Sequence, residues 1–63
     1  MWSITFYLGP NMQTFEAVGY SNEAEALVSL STHTWFTDEA GNQVRIPAVL
    51  RDSSVVKIHE TAT

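Results

Sequence analysis

The sequence predicts a small α+β domain: an antiparallel-rich sheet of four or five strands with one helix on one face, in the order β-β-α-β-β-β. Three observations carry this. Residues 1–8 alternate apolar and polar side chains without a break, the period of a half-buried strand. Ser21-Asn22-Glu23-Ala24-Glu25 has the form of a helix start, and apolar residues follow it at helical spacing. Beyond position 34, β-forming runs are separated by turn residues. The 63 residues are expected to form one domain, residues 1–63.

The first strand sets Trp2, Ile4, Phe6 and Leu8 on one face and Ser3, Thr5 and Tyr7 on the other. Gly9-Pro10-Asn11 stops it, because proline cannot donate to a ladder. Residues 13–20 resume the strand period, with Phe15 and Ala17 on one face and Thr14, Glu16 and Val18 on the other, which makes a hairpin. Asn22 with Glu25 matches a capping box, Ser21 being the competing cap. Ala24, Leu27, Val28 and Ser31 share one helical face, with Leu30 beside them, so Leu27 and Val28 are expected over Phe6 and Phe15. The helix should end between Leu30 and His33, where β-formers begin. Residues 38–42 read as a hairpin turn with a bulge at Gly41. Val44 and Ile46 then face inward before Pro47, and residues 48–50 have room for one 3₁₀ turn. Residues 54–60 form the last strand, Val56 and Ile58 inward and Val55, Lys57 and His59 outward; residues 61–63 are expected to fray.

Composition narrows the function. Three basic against seven acidic residues give a net charge of -4, too few cations for a phosphate-tracking surface unless an oligomer gathers them, so nucleic acid is not the expected partner. There is no cysteine, hence no disulfide framework and no thiolate zinc site. No apolar run is long enough to span a membrane and no basic n-region opens the chain, so the expected location is cytoplasmic. So short a chain buries only ~60% of its unfolded surface, and without a staple it needs a very good core or self-association.

The helix signal Ser21-Asn22-Glu23-Ala24-Glu25-Ala26-Leu27, the turn entry Trp35-Phe36-Thr37-Asp38-Glu39-Ala40-Gly41, and Val44-Arg45-Ile46-Pro47-Ala48 with Val56-Lys57-Ile58 resemble a loose group of small uncharacterised β-β-α-β-β-β proteins of actinobacteria and phages. The resemblance implies a fold and a size class. It transfers no catalytic motif. With the small size, it makes inhibition of a host complex in a phage-infected cell a plausible job.

No enzyme is expected. The serines and threonines form no nucleophile elbow, and Asp52-Ser53-Ser54 reads as turn chemistry. Glu23 and Glu25 splay around the helix, and the isolated glycines build no phosphate loop. His33 and His59, with Glu60, would need neighbouring strands to approach a metal; the plainer reading is two surface strand histidines, with no metal site and no cofactor. The seven aromatics are more telling. One helix cannot cover both faces of the sheet, so Tyr7, Val18, Tyr20, Trp35 (or its neighbour Phe36) and Val55 are expected to form an exposed interface, unless the sheet curls into a small barrel. The expected function is a non-enzymatic binding or regulatory module, a homo-oligomer acting on a protein partner. An alternative is an oligomer binding a nucleotide-like ligand between subunits through Arg45, Arg51 and Lys57. A weaker alternative is an Sm-like RNA-binding ring.

Overall fold

The computed structural model describes residues 1–9, 11 and 13–61. Pro10, the proline of the expected strand stop, lies outside the described residues with Met12, Ala62 and Thr63. Among the described residues are one helix and five strands: β1 (Trp2–Tyr7), β2 (Thr14–Tyr20), α1 (Glu23–Thr32), β3 (Trp35–Thr37), β4 (Gln43–Arg45) and β5 (Lys57–Glu60), with a 3₁₀ turn at Ala48–Leu50. The order is the expected β-β-α-β-β-β. The strands are divided between two antiparallel sheets, β2-β1-β5 and β3-β4. No helix among the described residues is long and apolar enough to cross a membrane.

The core follows the alternation. Ile4 and Phe6 from β1, Phe15 and Ala17 from β2, Phe36 from β3 and Ile46 after β4 are buried with Ala26 and Leu30 of α1. Phe6 and Phe36 meet at 4.7 Å between ring centres, tilted by 52°, and join the two sheets through an aromatic contact. The β3–β4 hairpin has its expected turn. The Gly41 N–H bonds the Asp38 carbonyl at 3.1 Å, the Asp38 carboxylate accepts from the Asn42 N–H at 2.8 Å, and Gly41 has φ of 88°.

Four expectations are corrected. First, α1 is rotated. Its cap is Asn22, whose side chain accepts from the Glu25 N–H at 2.8 Å, and it ends at Thr32 as its sequence suggests. Yet it buries Ala26, Ser29 and Leu30 and leaves Ala24, Leu27, Val28 and Ser31 exposed. Ala26 and Leu30 join the apolar core from this face. The buried Ser29 hydroxyl donates to the Ala26 carbonyl at 2.7 Å, so no polar group is stranded. Phe6 and Phe15 therefore do not pack under Leu27 and Val28.

Second, Tyr20 is on the core side. Trp2 pairs with Tyr20 and Ile4 with Ala17, so Val18 and Gly19 together oppose Ser3. This one-residue bulge, with Gly19 at φ of 99°, reverses the alternation past Ala17 and turns Tyr20 to the face of Trp2 and Ile4. Third, β5 begins at Lys57. Asp52 accepts from the Ser54 N–H at 2.9 Å and from its hydroxyl at 2.8 Å, and the Val55 N–H bonds the Asp52 carbonyl, which makes a turn of the expected strand start. Both Ser54 donors hold the Asp52 carboxyl below its ordinary pKa of 3.8. Fourth, Thr61 is tied rather than frayed: its N–H bonds the Met1 carbonyl at 2.7 Å.

Candidate functional site

Two surfaces hold side chains that the core does not use. The first is the apolar stripe of α1. Leu27 is 48% exposed and Val28 57%, on a helix whose buried face is Ala26, Ser29 and Leu30. Glu23 and Glu25 stand at its first turn, where they favour the positive end of the helix dipole. Neither is in an ion pair among the described residues, and α1 carries no cation.

Arg51 connects the far end of α1 to the rest of the chain. Its Nη1 donates to the carbonyls of Leu30 at 2.8 Å and His33 at 3.0 Å, and its Nε donates to the Ile46 carbonyl at 2.8 Å. The carbonyls at a helix C-terminus lack partners within the helix, and a guanidinium there satisfies them and complements the dipole. The Ile46 N–H bonds the Thr34 carbonyl at 2.9 Å. These bonds gather the end of α1, the start of β3 and the 3₁₀ turn at one end of the molecule. That end exposes Trp35 at 59% and Val49 at 75%.

The second surface is the outer face of β2-β1-β5, where alternation places Ser3, Thr5 and Tyr7 with Thr14, Glu16, Lys57 and His59. It is polar. The Thr5 Oγ1 and His59 Nε2 are 3.0 Å apart, and a Glu16 carboxylate oxygen lies 3.9 Å from the same Nε2. Ser3, fully buried, shares a 3.2 Å bond with the Thr61 hydroxyl. Beside them a cleft of about 470 Å³ is lined by Ser3, Glu16, Val18, Glu39 and Thr61 among others. The hydroxyl and the carboxylate address one nitrogen, so Glu16 cannot orient the ring from Nδ1 while Nε2 takes a proton. The trio is a surface hydrogen-bond cluster rather than a nucleophile with an oriented base.

The expected interface residues are not gathered on one sheet face. Tyr7 and Val18 are on the outer face, Tyr20 packs against the core, Trp35 belongs to the other sheet, and Val55 is in the turn before β5. Of the expected ligand cations, Arg51 is committed to three carbonyls. Arg45 stands opposite Trp35 on β4, and Lys57 opposite Thr5 on β5. His33 ends α1 while His59 is on β5, and no group of three metal-ligating side chains occurs among the described residues. Residue spacing could not reveal the Thr5–Glu16–His59 cluster, which needs the β2-β1-β5 strand order. The outward stripe was visible as an amphipathic pattern, but its direction was not.

No family model matches the chain, and neither a curated protein nor a solved structure matches it significantly.

Proposed function

We propose that the chain is a non-enzymatic binding module that acts by covering the outward stripe of α1 with a surface of another protein. One observation supports this above the others: the helix buries Ala26, Ser29 and Leu30 and turns Leu27 and Val28 to solvent. Isolated apolar side chains on a surface are ordinary, but a stripe at helical spacing is the form in which helices present anchors to partners. The exposed Trp35 adds an aromatic of the kind enriched in binding hot spots. The nucleotide reading is weakened by the commitment of Arg51 to main-chain carbonyls.

The test compares the parent with a Leu27→Ser/Val28→Ser double variant. Sedimentation equilibrium at micromolar concentration shows whether the parent self-associates, and affinity capture shows which proteins each form retains. The reading expects a folded variant that loses the species the parent binds or forms. A variant that retains all of them would move the binding surface elsewhere.

A further inference from the structure

We infer that the partner of the α1 stripe is a basic amphipathic segment, one that sets apolar side chains against Leu27 and Val28 and lysines or arginines against Glu23 and Glu25. The inference rests on the reading of the stripe as a binding surface and adds the chemistry of what covers it. At 100° per residue, the buried residues Ala26, Ser29 and Leu30 place the centre of the outward face near Ala24, Val28 and Ser31. Leu27 borders it on one side. Glu23 falls beyond Leu27 on that flank, and Glu25 falls on the opposite flank. The apolar strip is thus bracketed near its N-terminal end by two carboxylates, both exposed and unpaired among the described residues. The helix holds no cation to offset them, and the chain carries a net charge of -4.

A second copy fits this surface poorly. A stable interface needs about 800 Å² from each partner. A helix of 10 residues is about 15 Å long and offers one stripe far smaller than that. Two chains of charge -4 also repel at low salt. A basic segment turns the same charge into attraction, so a small apolar contact can suffice for a weak, salt-sensitive complex. Glu16 of the outer sheet face and Glu39 of the β3–β4 turn also face one cleft, but its apolar lining, Met1 and Val18, comes from two separate strand ends rather than one helical stripe.

The probes are three peptides about four turns long, designed as amphipathic helices with the same leucine face and a polar face of lysine, glutamine or glutamate. Each is titrated into the full chain, and backbone amide shifts are followed by heteronuclear NMR. The expected result is that the lysine peptide moves the amides of Ala24, Leu27, Val28 and Ser31, binds roughly tenfold more tightly than the glutamine peptide at low salt, and loses that advantage at about 0.5 M salt. Glu23→Gln/Glu25→Gln should remove the advantage, whereas Glu39→Gln should keep it; melting temperatures confirm that both remain folded. If the glutamine peptide binds the stripe as well as the lysine peptide, the charge inference fails and the stripe stands. If the lysine peptide moves the amides around Glu16 and Glu39 instead, the site is wrong. If the stripe amides move with protein concentration alone, the occupant is a second copy. If no peptide touches the stripe, this inference fails, and the Leu27→Ser/Val28→Ser comparison alone decides the binding reading.

Discussion

Arg51 donates to the carbonyls of Leu30, His33 and Ile46, which would otherwise compete for water at a partly covered helix end. Hydrogen bonds to a charged group are worth ~1.5–3 kcal/mol where their loss leaves partners unsatisfied. Arg51→Met should therefore lower unfolding free energy in urea by about 2 kcal/mol, and Arg51→Lys should recover little of it, because an ammonium lacks the planar fork. A far smaller loss would mean that water replaces the guanidinium. Gly41 makes a second test at this scale. Its φ of 88° is disfavoured for side chains with a β-carbon, although open space surrounds it. Gly41→Val should cost ~1–2 kcal/mol from backbone strain alone. In a domain this small that lowers the melting temperature by roughly 4–16 °C. Arg51 was legible as a cation but not as a cap, since its partners lie on segments that its own neighbours do not reveal. The turn at Gly41 was legible because its chemistry is local.

At the scale of elements, the strands show what alternation can and cannot disclose. Ile4, Phe6, Phe15 and Ala17 are buried as their period requires. The period fails at Val18 and Gly19, where one extra residue opposes Ser3 and carries Tyr20 to the core side. A lone glycine in a strand hints at a bulge, but the hint does not fix which residues change face. The helix was ambiguous for a different reason. Its residues 24, 27, 28 and 31 and its residues 26, 29 and 30 both satisfy helical spacing, and the first set is the more apolar. The structure buries the second set, with Leu30 as its one large side chain. Truncation separates the two orientations: Leu30→Ala should cost ~2–5 kcal/mol as a core deletion, and Leu27→Ala should stay within ~0.5 kcal/mol as a surface change. Comparable losses, read by chemical denaturation, would place both leucines in the core.

The whole molecule is small and unstapled. Proteins hold ~0.05–0.15 kcal/mol of stability per residue, which gives this chain of 63 roughly 3–9 kcal/mol. Phe6 is fully buried and touches Phe36 across the two sheets, so Phe6→Ala, at ~3–5 kcal/mol, should leave much of the population unfolded by circular dichroism at room temperature. A cooperative native-like melt for that variant would show that the sheets do not depend on this contact. Against so narrow a margin, turning Leu27 and Val28 outward forgoes burial that the fold could use, and that exposure is what supports the proposed binding role. The measurement that tests it most directly is thiol accessibility, which is clean because the chain has no cysteine of its own. Leu27→Cys, Val28→Cys and Leu30→Cys variants are labelled separately with a maleimide in dilute, folded protein. The first two should label at rates near that of an unfolded peptide, while the third is protected to the extent that the core must open. Protection of the Leu27→Cys and Val28→Cys variants as strong as that of Leu30→Cys would place the stripe in the core and remove the exposed surface on which the proposed binding role depends.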